Sequence, residues 1–209
     1  MDQNFIDILL GECVDPNLSL PDPDLVQYYQ NLENRTVWID GEINSSLFDL
    51  VTKIIYWNRE DKEISIKDRK PIKIFINSVG GELDPADTLV SIIKLSKTPI
   101  YGFALGIVAS AASLIFLGCH KRYALPNAYF IFHKGSYSSK GTANYNELMS
   151  AMEDYRAQID KMEKFYIEST LYPEEVIKEK IKSDWYIHVP EALQYGVVTD
   201  LIENIEVML

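Results

Sequence analysis

The sequence predicts an α/β domain built on a mostly parallel sheet. Two observations carry this. Short apolar, β-rich runs such as Thr36–Ile39, Ile72–Ile76 and Ile100–Ala104 alternate with segments of helical spacing such as 46–57, 86–95 and 110–117. Strands that alternate with helices imply crossover connections between parallel strands, and hence a sheet covered on both faces. The chain has 209 residues, enough for one well-buried domain and short for two.

In chain order, residues 1 to about 24 hold Pro16, Pro21, Pro23 and several aspartates and are expected to form an irregular arm. The rest, 25–209, is expected to be a single domain. Thr36–Ile39 reads as a strand. In 46–57, Leu47, Leu50, Val51, Ile54 and Ile55 give a helical stripe, with Ser45 or Ser46 as its cap. The charged stretch 58–70 reads as an exposed loop. Strands are expected at Lys121–Ala124 and Tyr129–Phe132, joined by a turn at Leu125-Pro126-Asn127. The tail reads as a helix over 173–182, an extended run 185–189, a short helix 190–195 stopped by Gly196, and a last strand near 197–202.

Residues 143–170 follow a different pattern. Tyr145, Leu148, Met152, Tyr155, Ile159, Met162 and Tyr166 are spaced alternately three and four apart, a seam held for three heptads. A helix over this range would be about 42 Å long, against a radius of gyration of about 17 Å for a domain of this size. It is expected to protrude and to bury its seam against another surface; the alternative is a bent helix lying on its own core.

The net charge of −11 repels phosphate backbones and anionic lipid, so neither a nucleic acid nor a membrane partner is expected. The N-terminus has no basic region followed by an apolar run, and the longest apolar stretch, 104–117, is too short and too interrupted to span a bilayer. A cytoplasmic location is expected. Cys13 and Cys119 form no disulfide framework, no ligand cluster has metal spacing, and no cofactor is implied.

Three places carry chemistry. Gly80-Gly81 after a strand permits close approach and free N–H groups that could stabilise an oxyanion, although an ordinary turn would use the same residues. Ser110 stands where a strand meets a helix, with small neighbours and the unsatisfied N–H of Ala111 beside it. That is the logic of a nucleophile turn, but also of a helix cap; Ser113, one turn on, is the fallback nucleophile. A serine needs a base. Of His120, His133 and His188, His133 closes an apolar strand and so emerges at the sheet's rim. With 31 acidic residues, position alone does not select the carboxylate that would orient it.

Four segments in order resemble the Clp protease proteolytic subunit family: Ile76–Gly81, Gly106–Ala112, Leu125-Pro126-Asn127 on to His133, and Asp184 through Pro190-Glu191-Ala192 to Val198. The resemblance covers about 30–203. It implies a crotonase-like α/β spiral, with Ser110 as nucleophile, His133 as base and Asp184 as its orienter. Gly81 and Ala111 N–H would form the oxyanion hole. It further implies a homo-oligomer of two stacked heptameric rings joined through a handle helix, here 143–170, whose pairing aligns the triad. An ATPase unfoldase of the AAA+ type would feed polypeptide to it. Departures mark a divergent member, phage-encoded or a specialised paralogue. Val79 replaces a proline, which should loosen the oxyanion turn. Lys134-Gly135 and Ser183 replace other family residues, and Lys73 and Phe75 stand where aromatic residues help dock the unfoldase. The rival readings are a crotonase-type acyl-CoA enzyme and a non-catalytic ring scaffold.

Overall fold

The computed structural model describes residues 22–136 and 141–209. Compactness divides the chain after Asn34. Most of the expected arm lies outside the described residues, but its end does not read as expected. Pro23–Glu33 is a helix, α1, with the Asp22 carboxylate accepting from Asp24 N–H at 3.0 Å. Proline breaks a helix interior yet suits its first turn, where the missing N–H costs nothing.

The unit from Arg35 to Leu209 alternates as predicted. Its elements are β1 (Thr36–Ile43), α2 (Phe48–Glu60), β2 (Ile72–Gly81), α3 (Leu83–Leu95), β3 (Ile100–Ala109), α4 (Ala111–Gly118), β4 (Lys121–Ala124), β5 (Tyr129–Phe132), α5 (Tyr145–Ser169), α6 (Glu174–Lys180), β6 (Trp185–His188), α7 (Val189–Gln194) and β7 (Asp200–Leu201). The seven strands form one sheet in the order β1-β2-β3-β4-β7, with β5 joined to β3 and to β6. Every pairing is parallel except β5 with β6.

Two features position the site. First, β2 and β3 run longer than their apolar runs suggested, so the Gly-Gly and small-residue segments lie inside the ladder. Bulges between Asp40 and Glu42 and between Ile76 and Ser78 absorb the irregularity. Second, β3 changes partner along its length. Tyr101–Ala104 pairs with β4, and Ile107–Ala109 pairs with β5. The strand that ends in the base is thereby laid against the last three residues before the nucleophile turn.

The two faces of the sheet differ. Val37, Ile74 and Gly102 share one face by register, and a Cβ on Gly102 would stand 3.0 Å from Cys119 Sγ and 3.1 Å from Phe116, so this face meets α4. Helix α4 is buried from Ala111 to Leu117. The other face carries a cross-strand aromatic ladder, Trp38, Phe75, Phe103 and Tyr123, with stacked centroids 4.6, 4.9 and 5.0 Å apart. Ile202 and Met208 pack on that ladder, where a helix had been expected.

The expected exposed loop 58–70 is partly ordered and holds a buried charge. Helix α2 runs to Glu60, followed by short turns at Asp61–Glu63 and Ile66–Asp68. The buried Asp61 carboxylate accepts two bonds from Arg35, at 2.6 and 2.8 Å, and one from the Thr98 hydroxyl at 2.7 Å. This ties the start of β1 to the end of α2 and the approach to β3. Neither expected serine caps the helix: Asn44 accepts from Ser46 N–H to cap a short 3-10 turn, Ser45–Leu47, that leads into α2, whose own first turn has no side-chain cap.

The Arg35 hydrogen bond, assisted by Thr98, holds the Asp61 carboxyl below its ordinary value of 3.8 against the opposing effect of burial. A folded-state value depressed below the unfolded one stabilises fully above the unfolded value and is lost as pH falls through the folded one. Urea denaturation should therefore register this contribution at pH 6 and its loss below about pH 4. Asp61→Ala, which leaves the Arg35 guanidinium only the Lys70 carbonyl and the more distant Glu60, should cost up to about 3–5 kcal/mol at pH 6, with a shallower acid dependence than the wild type.

Candidate active site

Ser110 closes β3 and opens α4 with φ 52° and ψ −125°. For a residue with a side chain this is a sparsely populated conformation, costing about 1–3 kcal/mol, and such residues cluster at functional sites. Three contacts maintain it. Its N–H donates to Ile131 C=O at 2.9 Å, continuing the β3–β5 pairing past the strand end. Its C=O accepts from Ser113 N–H at 2.9 Å and from the Ser113 hydroxyl at 2.6 Å. Gly80, at φ 95°, presses on the turn from β2. A Cβ there would fall 2.6 Å from Ala109 O and 2.7 Å from Ser110 Cβ. The paired glycines thus serve close approach, as the sequence suggested, and Gly81 does so against β1, where a Cβ would meet Ile43 O at 2.3 Å.

Two observations bear on the alternatives left open at this turn. The Ser110 side chain makes no cap hydrogen bond to α4, so it is not a simple helix cap. Ser113 is fully buried and hydrogen-bonded to Ser110 O and Tyr166, so the fallback nucleophile has no access to substrate. The Gly80 turn keeps its shape without the family's proline, because Ser78 Oγ accepts from Gly80 N–H at 3.1 Å and itself donates to Gly41 C=O. The expected loosening by Val79 is offset in this way.

His133 follows β5 immediately and is half-buried. Its Nδ1 lies 3.3 Å from Asp184 Oδ1, whose carboxylate stands at the start of β6 and is 58% exposed. The antiparallel register Phe132 with Trp185 explains the meeting: the residue after β5 faces the residue before β6. His133 Nε2 is buried and makes no hydrogen bond among the described residues. The other histidines are accounted for elsewhere. His120 Nδ1 accepts from Ile100 N–H at 3.1 Å, and His188, expected to be partly buried, is exposed at the end of β6.

Ser110 and His133 line one cleft of about 270 Å³ with Val79, Gly81, Lys134 and Met162. Tyr155 of α5 also borders it, a contact that the helical seam could not reveal. Among the described residues no group of three His, Cys, Asp or Glu is placed to hold a metal ion, and no helix is long and apolar enough to cross a membrane.

Helix α5 divides its seam. Tyr166 is fully buried, stacked on Phe132 at 4.3 Å, and Met162 is buried beside the cleft. Tyr155 and Ile159 are intermediate. Leu148 and Met152 are exposed, and Tyr145 is 76% exposed. The expectation of one intersubunit seam therefore fails for Met162 and Tyr166, which the chain's own core covers.

A strained serine at a strand-to-helix turn thus shares a cleft with a histidine that pairs with a carboxylate, although Ser110 and His133 are not hydrogen-bonded to each other. A model of the Clp protease family matches residues 23–205. The chain is 29% identical over 191 residues to the ATP-dependent Clp protease proteolytic subunit 2 of Treponema denticola, covering 90% of each chain. It is 33% identical over 144 residues to the proteolytic subunit 2 of Pseudomonas aeruginosa, covering 66% of this chain and 68% of the relative. A solved structure of a ClpP1 mutant from Listeria monocytogenes superposes with a TM-score of 0.72 at 30% identity, over 87% of this chain and 98% of the other. The chain belongs to the Clp protease family and is a serine peptidase of that family.

Gly80→Ala tests the packing of the turn. The added methyl meets backbone on Ala109 and the Ser110 side chain, and the φ of 95° disfavours any Cβ. Misplacement of about 1 Å at a reacting group costs about a hundredfold in rate. Peptidase turnover should fall by about that factor or more, and the thermal midpoint should fall with it.

Proposed function

We propose that this chain hydrolyses peptide bonds through an acyl-enzyme on Ser110, with His133 as general base and Asp184 as its orienter. The observation that carries this assignment is the Ser110 backbone conformation. It is costly, it is held from three sides, and it leaves the hydroxyl free of any cap bond. In the first half-reaction Ser110 Oγ attacks the scissile carbonyl while His133 Nε2 takes the hydroxyl proton. The tetrahedral oxyanion is held by the Gly81 and Ala111 N–H groups. His133 then gives the proton to the departing amine as the C–N bond breaks. In the second half-reaction water loses a proton to His133 as it attacks the acyl carbon, and His133 returns that proton to Ser110 Oγ as the acyl–oxygen bond breaks. Asp184 holds the imidazole tautomer that keeps Nε2 unprotonated and stabilises the imidazolium.

The substrate is an unfolded polypeptide or peptide, the active form is a ring of seven subunits stacked on a second ring, and a separate ATPase supplies chains. A cytoplasmic setting suits this role. Support for the ring contact comes from the outer part of α5, where Tyr145, Leu148 and Met152 present apolar surface to solvent. A second copy of the chain is the occupant that fits, because a protruding helix with a heptad pattern pairs with its like.

Ser110→Ala should abolish fluorophosphonate labelling and peptide hydrolysis with the fold intact. Retained labelling would remove Ser110 from the mechanism, and a wild-type chain that never labelled would favour the non-catalytic scaffold. Asp184→Asn should lower kcat by up to about 10⁴-fold with a small change in KM; near-normal turnover would make Asp184 structural.

Burying one large apolar side chain is worth about 1.5–3 kcal/mol, so Leu148→Glu or Met152→Glu should break the assembly into smaller species in sedimentation experiments. These positions are cleaner probes than Tyr155, which also borders the cleft. An unchanged particle mass in both variants would overturn the handle contact.

A further inference from the structure

The buried end of α5 reaches both halves of the site. Tyr166 Oη lies 3.1 Å from Ser113 Oγ, and Ser113 Oγ donates to Ser110 C=O at 2.6 Å. Hydrogen counting fixes the order. Ser113 spends its only hydrogen on Ser110 C=O, so it accepts from Tyr166 O–H. Burial pushes the phenol far above its ordinary range, so the O–H stays available as a donor. Two further contacts hold the residues flanking the base to the same stretch of α5. Phe132 stacks on the Tyr166 ring at 4.3 Å, and Lys134 Nζ lies 2.9 Å from Glu163 Oε2.

We propose that Tyr166 is a positioning residue for hydrolysis: its hydroxyl, through Ser113, forms a hydrogen-bond chain to the backbone of Ser110 while its ring packs on Phe132, the residue before His133, so that one side chain of α5 bears on both nucleophile and base. This rests on the assignment of Ser110 and His133 made above. The chain ends on the carbonyl of the strained residue itself. The ring stacks on the strand residue whose neighbour carries the Nε2 that must meet Ser110 Oγ.

The test compares wild type, Tyr166→Phe, Ser113→Ala and the double variant as assembled particles, by fluorophosphonate labelling rate and by kcat and KM for a peptide substrate. Tyr166→Phe keeps the ring stacked on Phe132, and Ser113→Ala keeps the phenol. Each single variant should lower labelling rate and kcat by about tenfold, since displacement of a reacting group is costly, with KM changed less than twofold. The double variant should be no slower than the slower single one, because both break the same chain. Losses that multiply, or wild-type rates in folded particles, would overturn the proposal; a purely structural role would lower the melting temperature and leave kcat unchanged. Should Tyr166→Phe fail to assemble, a wild-type rate in Ser113→Ala is sufficient to overturn it. Ser110→Ala run alongside separates the two levels. If it still labels, the catalytic assignment has failed; if it is dead while the Tyr166 and Ser113 variants are normal, only the positioning chain has failed.

Discussion

The backbone of Ser110 is the point on which the rest of the site depends. A residue with φ 52° and ψ −125° does not hold that conformation by itself. It persists because β5 takes its N–H at Ile131, because Ser113 takes its carbonyl from inside α4, and because Gly80 leaves no room for relaxation. Each restraint belongs to a different element. The change of partner along β3 brings β5 to the turn, and the bulged β2 brings Gly80. The strain is thus distributed over the sheet, and the catalytic geometry is a property of the strand order as much as of the residues that perform the chemistry.

Helix α5 links that geometry to the surface. Its buried end packs Tyr166 on Phe132 and pairs Glu163 with Lys134, on either side of the base. Its other end offers Tyr145, Leu148 and Met152 to solvent. One helix therefore joins an exposed apolar surface to the residues that flank His133. The Lys161–Asp87 ion pair at 2.7 Å and Lys94 over the Phe165 ring tie that buried end of the helix to α3. These are partly exposed contacts of modest strength, so the buried Tyr166 carries most of the seating.

The alternation of strands and helices was legible because the strands are short, near-continuous apolar runs and the helices carry apolar residues at 3.6-residue spacing. β4 and β5 were read to the residue, and Ser110, His133 and Asp184 were reached by motif order, with the structure bringing the last two to 3.3 Å. What escaped depends on contacts between distant residues. The Asp61 carboxylate looked like one more surface charge in a charged loop; only its meeting with Arg35 and Thr98 buries it. The aromatic ladder needs the register of four strands. The seam of α5 is uniform in sequence, and nothing in its spacing marks where the chain's own core stops covering it. Helix α1 was missed for a local reason: Asp22-Pro23 was read as a breaker when it is a helix start. Ser113 appeared only as a spare nucleophile, since its link to Tyr166 spans 53 residues.

If the strained turn aims Ser110 Oγ at a carbonyl between His133 and two backbone donors, the structure of the assembled particle after reaction with a peptidyl phosphonate shows it most directly. A covalent bond from phosphorus to Ser110 Oγ is expected, with the phosphoryl oxygen within hydrogen-bond distance of both Gly81 and Ala111 N–H and the positive φ of Ser110 retained. An adduct on any other residue, or a phosphoryl oxygen turned away from both N–H groups, would contradict it.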